Sequence, residues 1–226
     1  MAKLYIIPTP IGNLDDITLR AIKTLNDVEA LLCEDTRTTG NLMKHLNISK
    51  PLIAYHLHNE HKSLDRFIER IKTYESVGLT SDAGTPGISD PGFLIIRECL
   101  KNDIEVECLP GATAFVPALV ASGLPCDRFV FYGFLPHKKG RQTALKELSQ
   151  SPYTVVLYES PHRLVKAIEQ AIEHFGAERK ACVAREISKF YETYVRNTLE
   201  NLLNFYKTQT IKGEIVLMIE GNSSEK

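Results

Sequence analysis

Short apolar runs alternate with amphipathic stretches along the 226-residue chain, and this alternation limits what the chain can fold into. Amphipathic stretches with apolar residues three and four positions apart predict helices, for example over 19–25, 63–74, 94–101 and 164–175. The apolar runs predict strands over 4–8, 30–34, 52–56, 78–82, 105–109, 129–134, 154–159, 181–185, 193–196 and 214–219. Nearly continuous apolar strands separated by helices are typical of α/β proteins with largely parallel sheets.

Proline and glycine mark a boundary after the fifth predicted strand. Pro110 and Gly111 close that strand, and Pro117 and Pro125 follow soon after. We therefore expect two α/β domains, residues 1–112 and 113–226. The first should contain a mainly parallel five-stranded sheet, and the second a smaller mixed sheet.

Composition excludes several classes of protein. With 43% hydrophobic and 24% charged residues, the chain is neither disordered nor fibrous. Its net charge of −1 is unlike that of a domain that holds nucleic acid by charge alone. The five cysteines include no Cys-x-x-Cys pair and indicate no disulfide framework. Because no run approaches the ~20 apolar residues of a membrane span, we expect a cytoplasmic protein.

Three loops at predicted strand ends are rich in Gly, Pro, Asp and Thr. They cover residues 8–14, 81–92 and 110–114. In open α/β sheets ligands bind beyond the carboxyl ends of the strands, so three such loops predict one cleft. Tight turns are the alternative interpretation, strongest for Pro110-Gly111. Neither a G-x-G-x-x-G loop nor a phosphate-loop Lys-Ser/Thr pair occurs, which disfavours a nucleotide kinase.

Several short motifs together resemble the ribosomal-RNA-modifying branch of the tetrapyrrole methylase family. The resemblance runs in order from Leu4 to about Gly221. Three features separate this branch from its porphyrin-modifying relatives: the long loop over 81–92, Glu-Asp-Thr-Arg and Glu-Ser-Pro-His-Arg. The motifs cover residues 9–14, 33–37, 58–60, 81–92, 109–113, 158–163, 184–186 and 212–214.

This resemblance implies two α/β domains with S-adenosylmethionine folded into the cleft between them, and a homodimer. It also implies 2′-O-methylation of a cytidine ribose in the decoding region of small-subunit ribosomal RNA. Backbone groups and a threonine hydroxyl can satisfy the ammonium and carboxylate of the methyl donor, and a stiff apolar slot suits its adenine. The implied donor-binding residues are Pro10, Gly12, Asp82, Gly84, Thr85, Pro86, Gly87, Ile88, Thr113, Ala114, Tyr158, Glu159, Ala184, Lys212 and Gly213.

The acceptor side requires alignment of a ribose hydroxyl and a route for its proton. The candidate catalytic residues are Glu34, Asp35, Arg37 and Arg163. Further candidates for proton transfer are Asp90, Glu159, and the pair of Glu186 and Lys189. For residues 34–37 the alternative is a helix N-cap with an acidic first turn, and for Arg163 it is an ion pair.

RNA phosphates need cationic partners, and arginine binds them bidentately. The candidate RNA-binding residues are Arg37, His137, Lys138, Lys139, Arg141, His162 and Arg163. For the basic cluster over 137–141 a solvated loop is the alternative, but the family resemblance favours RNA contact.

No metal site is predicted. His56, His58 and His61 do not share one helix face and have no neighbouring fourth ligand, so 58–60 is expected to line the acceptor cleft or hold a loop. Many longer relatives carry a basic C-terminal segment beyond the position of Lys226. We therefore expect greater reliance on the 137–141 loop and on dimerisation, with an assembled small ribosomal subunit preferred over naked RNA.

Two rival functions remain open. A porphyrinoid C-methyltransferase would use the same donor pocket but needs a broad apolar cleft, which the charged motifs disfavour. A non-catalytic S-adenosylmethionine-binding ribosome factor would bind the donor and show no turnover.

Overall fold

The structure, a computed structural model, describes residues 2–55 and 60–222, with the backbone alone at 60–63. The chain divides into two compact units, Met1–Thr113 and Ala114–Lys226. No helix in the described ranges is both long enough and apolar enough to span a membrane.

The first unit is built on a sheet of five parallel strands. The strands are β1 (Lys3–Ile6), β2 (Ala30–Cys33), β3 (Leu52–Ala54), β4 (Ser76–Thr80) and β5 (Glu105–Cys108). Their spatial order is β3-β2-β4-β1-β5. Because the strands are parallel, all their carboxyl ends lie at one edge of the sheet.

Helices cover both faces of this sheet. Side chains alternate along β1, so Leu4 and Ile6 pack in one apolar core while Tyr5 and Ile7 pack in another. The first core includes residues of α3 and α4, and the second includes residues of α1 and α2. The helices are α1 (Leu19–Asp27), α2 (Thr36–His45), α3 (Glu60–Lys72) and α4 (Phe93–Lys101), with a short 3-10 turn at Leu14–Asp16.

The chain leaves β1 and β4 towards opposite faces of the sheet. The helix after β1 lies in the core with α2, and the helix after β4 lies in the core with α3. Because β1 and β4 are neighbours, the sheet has its topological switch point between them. Open α/β sheets bind ligands at such a point.

The second unit is built on a mixed sheet in the order β6-β7-β10-β8-β9. Strands β6 and β7 are parallel, and the β7–β10, β10–β8 and β8–β9 pairs are antiparallel. Strands β6, β7 and β8 therefore end at the edge where β9 and β10 begin. The strands are β6 (Phe129–Phe134), β7 (Thr154–Glu159), β8 (Lys180–Arg185), β9 (Thr193–Thr198) and β10 (Ile215–Ile219).

Three helices bury one face of this second sheet, and their apolar residues form its main core. These helices are α6 (Arg141–Ser149), α7 (Leu164–Phe175) and α8 (Leu199–Lys207). On the other face, Phe115 at the start of α5 (Phe115–Ser122) packs against the Phe129 and Phe131 rings.

The predicted fold class is confirmed: the first sheet is parallel and five-stranded, and the second is mixed. The prediction of a smaller second sheet is wrong, because that sheet also has five strands and they are longer. The predicted strands over 129–134 and 154–159 and the helix over 164–175 have the observed bounds. Strand β4 lies two residues earlier than predicted, so that 81–82 already belong to the following loop.

Candidate active site

The first two glycine- and proline-rich loops of the first unit are joined by backbone hydrogen bonds. The Thr9 amide donates to the Gly84 carbonyl at 2.9 Å, and the Gly84 amide donates to the Thr9 carbonyl at 3.0 Å. The buried Thr9 hydroxyl also donates to the Ser81 carbonyl at 3.2 Å. These bonds connect the two loops that leave the switch point between β1 and β4.

The second and third loops meet through two threonine hydroxyls. Thr85 Oγ1 lies 2.8 Å from Thr113 Oγ1 and donates to the Ala112 carbonyl at 3.0 Å. All three predicted loops of the first unit are therefore linked at the carboxyl edge of its sheet. The pair leaves hydroxyl and carbonyl groups partly exposed, as a polar ligand would require.

The loop over 81–92 turns back on itself through left-handed backbone conformations. Gly84 and Gly87 have φ of 82° and 84°, a region that residues with a Cβ rarely adopt. The Gly87 amide donates to the Pro91 carbonyl at 3.2 Å, which closes the turn. Pro86, Ile88 and Asp90 lie within this turn, Pro86 buried and the other two half-buried.

A pocket of about 200 Å³ opens beside these loops on the side of α2. It includes Pro10 and Asp82, two of the predicted donor-binding residues. Because pockets for whole ligands usually measure ≈ 300–1,000 Å³, this one is sized for part of a ligand. Its lining consists of Thr9, Pro10, Leu14, Thr38, Thr39, Asn41, Leu42, His45, Ser81 and Asp82.

Asp35 is the N-cap of α2, as the helix-cap interpretation of residues 34–37 predicted. Its Oδ1 accepts from the Arg37 amide at 2.8 Å, and the Arg37 guanidinium contacts both carboxylate oxygens. The side-chain hydrogen bonds from Arg37 lower the pKa of Asp35 to about 2. A carboxylate of that pKa is a weak proton acceptor at neutral pH.

The same turn is tied to the second loop. The Asp35 amide donates to Asp82 Oδ1 at 3.0 Å. Glu34 lies half-buried at the carboxyl end of β2, and Arg37 is largely exposed. The predicted catalytic residues of the first unit therefore adjoin its predicted donor-binding loop.

In the second unit, Glu159 ends β7 between two guanidinium groups. Its Oε2 accepts from Arg141 Nη2 at 3.0 Å. Its Oε1 accepts from the Ser160 amide at 2.7 Å. The same oxygen lies 2.8 Å from Arg163 Nε, and these two groups form an ion pair whose geometry is not that of a hydrogen bond. The Glu159 side chain is only 2% exposed, so its charge is balanced inside the protein.

Arg141 differs from its neighbours in the predicted basic cluster. It is buried, and it also donates to Gln170 Oε1 at 2.7 Å and to the Pro136 carbonyl at 3.3 Å. These bonds direct its guanidinium into the protein and away from any phosphate outside. The expected RNA contact at Arg141 is therefore replaced by a structural ion pair.

The other basic side chains of this region face solvent. His137, Lys138, Lys139 and His162 are exposed, and Arg163 Nη1 lies 2.7 Å from His137 Nδ1. They occupy what we call the loop edge, namely residues 135–140, 160–163, 186–192 and 211–214. Strand directions bring these four segments to one edge of the second sheet.

Tyr158 and Ala184 lie in one row of the second sheet. Both pair with Val216 of β10, so all three share a face. Tyr158 contacts the Phe131 and Phe134 rings on that face, with centroids 5.1 and 5.6 Å away. Ala184 and Val216 are buried in this row, so the half-buried Tyr158 ring is its part that offers apolar surface to an adenine.

The predicted residues Gly213, Glu186 and Lys189 form one contact group. Lys189 Nζ lies 3.0 Å from Glu186 Oε1 and from Glu214 Oε2. Burial opposes the charged form of Glu186, but hydrogen bonds from the Glu214 amide and Lys189 lower its pKa overall. The carboxylate therefore stays charged and paired.

Other predicted residues have simpler surroundings. Gly12 and Lys212 are exposed, and Ala114 is half-buried. His56, His58 and Asn59 lie outside the described residues, as does the side chain of His61. Within the described residues, no group of three or more His, Cys, Asp or Glu side chains is placed to hold a metal ion.

The comparisons with known proteins agree with this geometry. The family model of Tetrapyrrole (Corrin/Porphyrin) Methylases matches residues 3–203. The chain belongs to the tetrapyrrole methylase family.

Within this family, curated relatives place the chain in one branch. "Ribosomal RNA small subunit methyltransferase I" of Synechocystis sp. is 45% identical over 226 residues, covering 100% of this chain and 81% of that protein. The protein of the same name from Hydrogenobaculum sp. is 45% identical and covers 96% and 95%, respectively. The one from Escherichia coli O157:H7 is 43% identical and covers 99% and 79%.

Solved structures of two enzymes share the fold at low sequence identity. Diphthine synthase superposes with a TM-score of 0.76 at 15% identity, covering 97% of this chain and 90% of that one. Uroporphyrin III C-methyltransferase from Thermus thermophilus superposes with a TM-score of 0.69 at 18% identity, covering 97% of each chain. At these identities the likeness establishes the fold alone.

Two polar side chains that contact the predicted residues are not among those predicted from the sequence. The Thr9 hydroxyl bonds the second loop, and its position in a Thr-Pro-Ile-Gly motif was an available signal. Gln170 binds Arg141 from the middle of α7, where nothing in the local pattern distinguishes it from other polar helix residues.

Proposed function

We propose that this protein uses S-adenosylmethionine to methylate the ribose 2′-oxygen of a cytidine in small-subunit ribosomal RNA. One observation carries the proposal: relatives named for small-subunit ribosomal RNA methylation are 43–45% identical over nearly the whole chain. The proposed target lies in the decoding region, as the family resemblance implies. A ribosomal substrate also assigns the protein to the cytoplasm.

The proposed donor-binding groups suit S-adenosylmethionine chemically. In the first unit, the Thr85 and Thr113 hydroxyls and neighbouring backbone groups can bond an ammonium and a carboxylate. In the second unit, the half-buried Tyr158 ring supplies an apolar surface for an adenine. When bound, S-adenosylmethionine supplies an electrophilic methyl group. The protein binds and orients the two reactants, and this orientation can remove a large part of the activation barrier of such a transfer.

We assign the proton acceptor to Glu34. The bond between the Asp35 amide and Asp82 holds the Glu34 turn against the proposed donor loop. Asp35 acts as a positioning residue, because its carboxylate caps α2 and binds Arg37. Arg37, so oriented, is placed to bind a phosphate of the RNA acceptor.

We assign phosphate binding at the loop edge to His137, Lys138, Lys139, His162 and Arg163. Glu159 orients Arg163 by ion pairing, and Arg163 in turn contacts His137. Because these charges are local, the binding does not require a strongly basic chain. An assembled small subunit, which presents folded RNA, is the proposed substrate.

We further propose a homodimer formed through α5 and the start of β6. Val116, Val120 and Phe129 are exposed there, beside the Phe115 ring. A concentration of exposed apolar side chains is typical of a contact surface. Sedimentation velocity of the wild type and of Val120→Glu tests this, since the substitution should shift a dimer to monomer.

The test of the function is methyl transfer to ribosomal particles. Small subunits from cells lacking this gene are incubated with the protein and S-adenosylmethionine carrying a labelled methyl group, and nuclease digestion maps the label. We expect label on one cytidine ribose 2′-oxygen. Donor binding without any transfer would identify a non-catalytic ribosome factor, and visible absorbance changes with a porphyrinoid would indicate a C-methyltransferase.

A further inference from the structure

The loop between β8 and β9 carries two exposed aromatic side chains at its end. Phe190 is 93% exposed and Tyr191 is 67% exposed. Their ring centroids lie 5.0 Å apart at an interplanar angle of 89°. We call this pair the aromatic tip. Leaving two large apolar side chains in water without packing is unfavourable, so the tip is suited to a partner.

Ion pairs and a hydrogen bond hold the loop that carries the aromatic tip. Lys189 Nζ bridges the Glu186 and Glu214 carboxylates at 3.0 Å each. Arg185 Nη2 donates to the Tyr191 carbonyl at 3.0 Å. The backbone positions of the aromatic tip are thus fixed by charged groups of β8 and the start of β10, so binding to the tip costs less ordering entropy.

The aromatic tip and the proposed phosphate-binding cations share the loop edge. The cations follow β6 and β7, and the aromatic tip follows β8. Only β10 separates β7 from β8, which places those two strands about 10 Å apart at ~4.8 Å per strand spacing. One extended ligand at this edge can therefore reach both.

We propose that Phe190 and Tyr191 stack on an unpaired base of the RNA segment that carries the target nucleotide. The cations at the ends of β6 and β7 bind phosphates of the same segment. Cationic tracks beside exposed aromatic side chains are how proteins hold single-stranded RNA. The inference rests on the proposed function and adds to it the contact with RNA bases.

The charges around the aromatic tip balance each other, which favours base stacking over phosphate binding as its role. Arg185, Lys189 and Lys212 are the cations of the neighbouring segments, and they are balanced by Glu186, Glu192 and Glu214. Phosphate attraction is therefore weak at this end of the loop edge. Binding at the tip should depend little on salt, whereas binding by Lys138 and Lys139 should depend strongly on it.

The size of the aromatic tip favours a base over a second copy of the chain. Two aromatic side chains bury at most about 150–250 Å² each. A stable protein interface needs about 800 Å² from each partner. The tip matches the area of one or two stacked bases.

The experiment measures binding of unmethylated small ribosomal subunits over a range of salt concentrations. The variants are the double substitution Phe190→Ala with Tyr191→Ala, and Lys138→Ala with Lys139→Ala. We expect the aromatic variant to bind about 5- to 30-fold more weakly with an unchanged slope of log affinity against log salt. The lysine variant should bind more weakly with a reduced slope. Phe205→Ala, which removes an exposed aromatic of α8, is the matched control and should bind like the wild type.

A second readout uses fluorescence. The chain contains no Trp, so Phe190→Trp introduces a single indole at the aromatic tip. We expect its emission to be quenched when small subunits are added, because a base stacks on the indole. Thermal unfolding of every variant checks folding, and Phe190→Trp keeps the test informative if the double alanine variant does not fold.

The outcomes separate this inference from the proposed function. Unchanged binding by the aromatic variant, with unquenched indole emission from the Phe190→Trp variant, overturns the stacking inference even when the protein methylates RNA. A change in sedimentation coefficient of the double alanine variant assigns the tip to a subunit interface and also overturns it. Weaker binding by the aromatic variant, when the wild type transfers no methyl group, supports the stacking inference and contradicts the proposed function.

Discussion

Arg141 Nη2 and Glu159 Oε2 lie 3.0 Å apart, with their side chains only 6% and 2% exposed. The pair joins the first turn of α6 to the carboxyl end of β7. Because Glu159 also pairs with Arg163, the buried pair connects the core of the second unit to the cations at its surface.

Breaking this pair should destabilise the protein. Arg141→Met removes the guanidinium and leaves the buried Glu159 carboxylate with Arg163 as its remaining cation. We expect a loss of about 3 kcal/mol in the free energy of unfolding, measured in urea. Adding Glu159→Gln should recover part of that loss, since no buried charge then remains unbalanced. A loss below about 1 kcal/mol for Arg141→Met would contradict the buried ion pair.

Asp35 should act through the helix cap and not through proton transfer. We expect Asp35→Ala to lower Tm by about 2–4 °C, as loss of an N-cap does. Asp35→Asn can still cap α2 but loses the ion pair with Arg37, so it should lower Tm less than Asp35→Ala does and weaken RNA binding without changing the methyl-transfer rate at saturating RNA. A large loss of turnover in Asp35→Asn with an unchanged Tm would assign the carboxylate a catalytic role.

The same residue predicts a dependence of stability on pH. The pKa of Asp35 is about 2 in the folded protein, below its ordinary value of 3.8. Its contribution to stability is therefore complete above pH 4 and is lost as the pH falls from about 4 to 2. Urea unfolding across this range should show a smaller decrease for Asp35→Asn than for the wild type.

Gly213 and Gly140 provide a matched test of close packing. Their φ angles are nearly equal, 87° and 85°. A Cβ on Gly213 would collide with the Glu186 side chain, whereas a Cβ on Gly140 would meet no atom within 4 Å. Gly140→Ala should cost about 1–2 kcal/mol for its left-handed backbone conformation alone. Gly213→Ala should cost a further 1–3 kcal/mol, approximately, from overpacking. Equal unfolding free energies would contradict the close contact with Glu186.

The hydroxyl pair of Thr85 and Thr113 should matter for donor binding. Thr85→Val removes the hydrogen bonds to Thr113 and to the Ala112 carbonyl with little change in volume. We expect S-adenosylmethionine, measured by equilibrium dialysis, to bind about 3- to 10-fold more weakly, as for loss of one or two hydrogen bonds. Thr85→Ser keeps the hydroxyl and should bind like the wild type; weaker binding there too would point to the methyl group instead.

Much of the fold could be predicted because its signals are local. Residues 129–134 and 154–159 are dense in β-branched and aromatic residues, and 164–175 has apolar residues at helical spacing, so these elements were predicted with their observed bounds. Strand ends depend on which partner continues the ladder, and β4 is shifted by two residues for that reason.

The site could be predicted only in outline. The three loops of the first unit were identified from their composition, but the Thr9–Gly84 and Thr85–Thr113 contacts join residues far apart in the chain. The Glu-Asp-Thr-Arg motif allowed both a catalytic group and a helix cap. The Arg37 contacts, which lower the pKa of Asp35, favour the cap.

The sequence by itself determined the α/β layers, the loops at strand ends and the family, because periodicity and short motifs are properties of neighbouring residues. Only the tertiary structure decided which charges are available to a ligand. Lys138, Lys139 and Arg141 belong to one basic run, yet two are exposed while Arg141 is buried against Glu159 and Gln170. The difference arises because partners 18 and 29 residues away are brought to Arg141 by the packing of α6 and α7 on the sheet.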